Sequence, residues 1–183
     1  MSYYFWDAVV EKDECEQLIA EYKDSEFSVA EVGGDRKLRR TDLEHRDTGI
    51  IWIKPDRLIN RAFYGFVKEA NDNFFHYDLD GHEVLQLSKY EENGHYKWHT
   101  DNPNLSEQTD VIRKLSASIQ LSDPSTYEGG EFQLYDGETP IVPEIKNQGS
   151  VLVFDARDWH RVTPVTSGVR YSLVMWAVGA KFK

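Results

Sequence analysis

The sequence predicts an α+β fold in which two helices come first and back a double-sheet β core. Two stretches before residue 80 carry apolar residues at helical spacing. From Val84 onward, short apolar runs alternate with Gly, Pro, Asn and Asp. The 183 residues, 40% hydrophobic and 13% aromatic, suffice for one sizeable core. A single domain over residues 1–183 is expected, with 1–80 as a helical and mixed support and 81–183 as the β core.

The elements follow in order. Glu11–Lys23 places Cys15, Leu18, Ile19 and Tyr22 on one helical face, with acids in the first turn where the helix dipole favours them. Pro55–Phe74 is the stronger helix: Pro55 suits a first turn, and Ile59, Ala62, Phe63, Phe66, Val67, Ala70 and Phe74 form a stripe. The strands expected next are VLQLSKY, YKWHT, KLSASIQL, EFQLY, SVLVFD, HRVTPV and VRYSLVMWAV. Gly129-Gly130 marks a tight turn between two of them. No repeat, low-complexity tract or linker interrupts the chain.

Bulk properties exclude several functions. A net charge of −11 disfavours a nucleic-acid or anionic-membrane surface, since phosphate binding needs Lys and Arg to displace counterions. The stretch Arg36–Arg46 is a local exception, either a solvated face or a guide for an acidic substrate. Cys15 stands alone, so intrachain disulfides and CxxC chemistry are excluded and a reducing compartment is expected. The opening MSYYFWDAVV does not read as a signal peptide, and no window has the length of a membrane span. The expected location is cytoplasmic.

Three His-x-Asp units stand out: His45/Asp47, His76/Asp78 and His99/Asp101. On a strand, residues i and i+2 face the same way and can share a metal; on a helix they diverge. Chance alone gives roughly half such a unit in a chain of this composition, so context must decide. His45 lies in a charged run, and His76 follows the second helix as its exit. His99-Thr100-Asp101 instead follows the alternating YKWHT and precedes the turn signal DNPN, at a strand end. His95 would give a helical HxxxH pair, but Gly94 and the β-rich surroundings make it a surface residue.

Two His and one carboxylate are the donor set of non-haem Fe(II) oxygenases, and His160 is the histidine left downstream. Strands far apart in sequence become neighbours in a double-sheet jelly roll, so the gap is no obstacle. The plain alternative for His160 is a surface imidazole bonded to Asp155 or Asp158. Arg170 weighs against that alternative, because it opens an otherwise apolar strand and a buried cation needs a partner. Ser172 points to the same side, so a dicarboxylate chelating the metal would satisfy both. Pairing of Arg170 with a protein carboxylate is the alternative.

These residues resemble the 2-oxoglutarate/Fe(II)-dependent oxygenases, in their prolyl/lysyl hydroxylase-like (prolyl 4-hydroxylase-type) branch. The likeness spans Val84–Val178 and rests on YEENGHYKWHTDN, LSDPSTYEGGEF and GSVLVFDARDWHRVTPVTSGVRYSLVMW. It implies a double-stranded β-helix, or jelly-roll, core. It implies Fe(II) on His99, Asp101 and His160, and the distal carboxylate of 2-oxoglutarate on Arg170, helped by Ser172. Tyr90 resembles the tyrosine near the co-substrate, and Val162 and Trp176 the pocket wall. Tyr96 and Trp98, with Trp176, would face the substrate. Gln120 stands where relatives place an aromatic and is expected to add a polar contact to the co-substrate.

The implied activity is hydroxylation of an aliphatic C–H, foremost of a prolyl or other residue in a peptide or protein. O2 is consumed, succinate and CO2 are released, and ascorbate keeps the iron reduced. The alternatives are a hydroxylase of a free amino acid or small molecule, a non-catalytic metal-binding jelly roll, a nucleic-acid demethylase and a zinc hydrolase. The charge opposes the demethylase, and the hydrolase leaves Arg170 and Ser172 without a role.

Overall fold

The structure, a computed structural model, describes residues 3–32, 40–53, 58–102 and 110–182. It opens with β1 (Tyr3–Trp6), α1 (Lys12–Tyr22), β2 (Ser28–Val29), β3 (Arg46–Asp47) and β4 (Gly49–Trp52). Helix α2 (Leu58–Ala70) then runs into a π-helical turn, Asn71–Phe75. The core strands are β5 (Gly81–His82), β6 (Gln86–Tyr90), β7 (His95–His99), β8 (Val111–Gln120), β9 (Tyr127–Gly129) and β10 (Phe132–Tyr135). They continue with β11 (Pro140–Ile141), β12 (Val151–Asp155), β13 (Trp159–Val162), β14 (Val165–Gly168) and β15 (Arg170–Ala180).

Two sheets face each other as a double-stranded β-helix. The major sheet runs β1-β12-β8-β15-β6-β4-β2, with β5 joined to β15, and the minor sheet runs β11-β10-β13-β7-β3. Strands β9 and β14 form a separate ribbon.

Alternation along the central strands explains both the layering and the site. Leu115, Ala117 and Ile119 of β8 pack with Leu173, Met175 and Ala177 of β15, Leu87 of β6 and Val151 and Val153 of β12. The same cluster takes in Cys15 and Leu18 of α1 and Phe63, Val67 and Ala70 of α2. The helices therefore cover the outer face of the major sheet, as their apolar stripes require. The residues in between, Ser88, Ser116, Ser118, Ser172 and Arg170, point to the opposite face and line an inner cavity. A polar inner face is costly in a sandwich core and suits a polar ligand.

The structure adds elements to those read from the sequence. Strands β1, β2, β3 and β4 weave the first 80 residues into both sheets. The segment HRVTPV is two strands, β13 and β14, in different sheets. Pro164 stands at the break, where it lacks the N–H a ladder needs. Of the expected Pro55–Phe74 helix, residues 54–57 lie outside the described residues, and the stretch from Asn71 is π-helical. His76 caps that turn in the left-handed conformation, as expected of a helix exit.

Candidate metal centre

His99 ends β7, and His160 sits opposite it in the ladder between β7 and β13. This register brings the imidazoles within 4.1 Å, centroid to centroid. Asp101 follows just beyond β7, where its backbone N–H and that of Asn102 both donate to the Ala156 carbonyl, at 2.9 and 2.8 Å. Its carboxylate lies 3.3 Å from His160 Nε2 and 3.8 Å from His99 Nε2. Among the described residues, these three form the one group of metal-ligating side chains whose donor atoms lie within 4.8 Å of one another.

The tautomers follow from the hydrogen bonds. His99 Nδ1 is 2.8 Å from the Lys97 carbonyl, and His160 Nδ1 is 2.9 Å from the Asp158 carbonyl. A carbonyl only accepts, so each Nδ1 carries the proton and each Nε2 keeps its lone pair for a metal. Ser116 donates to Asp101 Oδ2 at 2.7 Å. Burial, followed by the neighbouring His160, holds His99 well below the usual imidazole range. Burial alone would raise the Asp101 carboxyl, but the His160 and His99 imidazoles, whenever they are protonated, outweigh it and hold the carboxyl well below the carboxylate range. Neutral imidazole and ionised carboxylate are the forms that bind a cation.

Arg170 faces the same inner cavity from β15. It is 3% exposed, and its guanidinium carbon is 5.4 Å from the centre of the Tyr90 ring. Its Nη1 is buried and has no hydrogen-bond partner among the described residues, so one donor is open to a ligand. Tyr90, Ser172 and Val162 line this cavity, and Tyr96 and Trp176 line both it and an outer groove. Tyr96 stacks on the His99 ring at 3.4 Å between centroids. Trp98 lines the groove and lies beneath Arg161, whose guanidinium carbon is 4.6 Å from its ring centre.

Gln120 was expected to add a polar contact to the co-substrate. It is buried beyond the inner cavity, and its amide donates to the Ser122 carbonyl at 3.1 Å and the Tyr127 hydroxyl at 3.0 Å. Those acceptors draw the side chain towards the β9 ribbon, into a smaller pocket behind Arg170. His45 stands in the groove edge-on to Tyr96 and is not part of the His99, Asp101 and His160 group. The two ring nitrogens of His95 lie 2.9 and 3.1 Å from the Asn93 and Glu44 carbonyls, a structural role.

The structure also adds residues that were not singled out in the sequence. Arg46 is buried between groove and cavity, with its guanidinium carbon 4.4 Å from the centre of the Tyr96 ring. Arg113 lies 3.8 Å over Trp176 and pairs with Glu83 through two hydrogen bonds, of 2.8 and 2.7 Å. Arg46 ended the basic stretch Arg36–Arg46, whose residues 36–39 lie outside the described residues. Ser116 and Ser118 share the period-two face of Gln120, a signal present in LSASIQL.

The profile of the 2OG-Fe(II) oxygenase superfamily matches residues 85–178, just over half of the chain. The chain belongs to that superfamily. A PKHD-type hydroxylase from Crocosphaera subtropica is 35% identical over 92 residues, covering 50% of this chain and 41% of that protein. One from Aliarcobacter butzleri is 37% identical over 94 residues, covering 49% and 41%. The aligned part thus spans about two fifths of the curated relatives it matches.

Among solved structures, a prolyl hydroxylase from Trichoplax adhaerens, in complex with a hypoxia inducible factor oxygen degradation domain peptide, superposes with a TM-score of 0.77. Its identity is 18%, over 96% of this chain and 82% of that one. The viral collagen prolyl hydroxylase of Paramecium bursaria Chlorella virus-1, in its 2OG complex, gives 0.75 at 19% identity, over 98% and 97%. The jelly-roll fold is shared throughout.

Proposed function

We propose that the protein is an Fe(II)- and 2-oxoglutarate-dependent dioxygenase that hydroxylates an aliphatic C–H, foremost of a prolyl or other residue in a peptide or protein. The carrying observation is the shared inner cavity, where a two-histidine, one-carboxylate donor set meets a buried Arg170 whose Nη1 lacks a partner among the described residues. The donor set fits iron, and the open guanidinium donor fits a dicarboxylate.

When bound, iron with 2-oxoglutarate and O2 supplies the oxidising power to place an oxygen atom in a C–H bond and yields succinate and CO2. The chain supplies position. His99 and His160 offer Nε2 while the Lys97 and Asp158 carbonyls fix their rings. Asp101 completes the set, steadied by Ser116 and by its own N–H on Ala156. Arg170 and Ser172 would take the far carboxylate of the co-substrate. The stacked Tyr96 ring shields His99.

A peptide is favoured as substrate by the outer groove, of about 630 Å³, which is lined by Trp52, Trp98, Trp159 and Trp176. Indole rings bind an extended, ring-bearing chain by apolar contact while leaving its backbone free to hydrogen-bond. The peptide-bound relative supports the same choice. A reducing, cytoplasmic setting suits both Fe(II) and the free thiol of Cys15. No described helix is long and apolar enough to cross a membrane.

The test is anaerobic addition of Fe(II) and then 2-oxoglutarate, read by the weak visible charge-transfer band of the chelate. It is followed by CO2 release from C1-labelled 2-oxoglutarate with proline-containing peptides. Wild type shows the band, Asp101→Ala abolishes it, and Arg170→Ala shifts its half-saturation to higher 2-oxoglutarate. A folded wild type that shows no band overturns the oxygenase reading. A band with free amino acids as the better stimulants overturns the peptide.

A further inference from the structure

The turn between β12 and β13 touches two metal ligands at once. The Ala156 carbonyl accepts the N–H groups of Asp101 and Asn102, and the Asp158 carbonyl accepts His160 Nδ1–H. What holds this turn lies outside the cavity. The Asp155 carboxylate accepts Arg157 N–H at 2.8 Å, Arg157 Nε at 2.9 Å and Arg157 Nη2 at 2.6 Å. It also accepts the Tyr77 hydroxyl at 2.5 Å, and Arg157 Nη2 lies 2.9 Å from that same oxygen.

Tyr77 is fixed in turn. The π-helical turn places Asn71 so that its side chain accepts the Tyr77 N–H and donates to the Tyr77 carbonyl, both at 2.9 Å. Phe182 closes the cluster, 4.3 Å from the Arg157 guanidinium carbon and 3.4 Å from Lys114 Nζ. The Lys114 carbonyl accepts the Ala156 N–H. None of Tyr77, Asp155 and Arg157 lines the inner cavity or the groove.

We propose that Tyr77, Asp155 and Arg157 are positioning residues for the metal centre, holding the 155–158 turn so that its two carbonyls aim Asp101 and His160 at one point. The inference rests on His99, Asp101 and His160 being the ligands. Outer partners of this kind set metal affinity because they remove the freedom a ligand would otherwise lose on binding.

The experiment is Co(II) titration of the metal-free full chain, read in the visible d–d bands, with a thermal melt of each metal-free variant. Tyr77→Phe removes one hydroxyl and keeps the ring. Asp155→Asn weakens the whole network. Phe182→Ala removes packing from the same cluster and no hydrogen bond. Expected are about tenfold weaker Co(II) binding and altered band shape in Tyr77→Phe, at least as large a change in Asp155→Asn, and wild-type affinity and spectrum in Phe182→Ala.

Should Asp155→Asn fail to fold, Tyr77→Phe carries the test. Wild-type affinity and spectrum in Tyr77→Phe overturn the proposal, as does an equal loss in Phe182→Ala, which would make affinity a matter of stability. A wild type that binds no Co(II) overturns the metal-centre reading itself.

Discussion

Arg170 is held in the protein interior with one guanidinium nitrogen unpartnered among the described residues, an arrangement that costs stability unless a ligand completes it. Replacement should therefore move stability and binding in opposite directions. Arg170→Met keeps the stem, removes the buried charge, and is expected to stabilise the ligand-free protein by about 1–2 kcal/mol in urea denaturation. The same variant should lose 2-oxoglutarate affinity about 10- to 100-fold, the worth of a charged hydrogen bond. Arg170→Lys should regain part of that affinity, since an ammonium keeps the charge without the planar fork. A ligand-free Arg170→Met protein less stable than wild type would place a partner on the guanidinium that the geometry does not reveal. The triad and Arg170 were legible because each breaks a local pattern: His99 and Asp101 stand two apart where an alternating strand gives way to a turn signal, and a cation opens the apolar run VRYSLVMWAV. Arg46 and Arg113 were not singled out, because their roles come from strand register, which no short window contains, and the face of Ser116 was legible in LSASIQL but its bond to Asp101 was not. The Gln120 bond to Tyr127 was not legible for the same reason, since Tyr127 comes within its reach only when the ribbon folds back.

At the scale of elements, the Gly129-Gly130 turn links the β9 ribbon to β10. Both residues have positive φ, +73° and +60°. A Cβ on Gly129 would lie 2.3 Å from the Pro164 carbonyl oxygen, and one on Gly130 would lie 2.9 Å from Arg170 Cδ. Gly129→Ala is therefore expected to cost at least about 1–3 kcal/mol in urea denaturation, with little change in 2-oxoglutarate affinity relative to the folded fraction. Gly130→Ala should also weaken 2-oxoglutarate binding, because it displaces the Arg170 stem. The 155–158 turn makes a second element-scale prediction. Burial would raise the Asp155 carboxyl, but hydrogen bonds from Arg157 and Tyr77 outweigh it and hold the group below its usual 3.8. A carboxyl depressed in the folded state contributes stability above 3.8 that is lost as pH falls through the lower folded value. Stability measured in urea across that acid window should thus fall less steeply in Asp155→Asn than in wild type. Strands β8, β12 and β15, alternating or continuously apolar runs of five to eleven residues, could be read from sequence, whereas β2, β3, β5 and β11 are two residues each and carry no period to read.

At the scale of the whole molecule, the order of strands in space interleaves the two ends of the chain. Strand β1 lies beside β12, and β15, nearly the last residues, lies between β8 and β6 in the middle of the major sheet. Neither half can close its sheet without the other, so residues 1–183 should unfold as one unit despite the short N-terminal elements. Cys15 provides a probe of this. It is 0% exposed in the cluster that joins α1 to the major sheet, and burial, with Glu14 and Glu16 beside it, pushes its thiol up to about 11. A thiol that is both inaccessible and protonated does not react. Native protein should therefore resist a thiol reagent, and labelling should rise with urea along the curve traced by the fluorescence of the five tryptophans. Labelling at lower urea than the fluorescence change would mean that α1 detaches first. The support formed by the first 80 residues would then be a separate cooperative unit resting on the jelly roll.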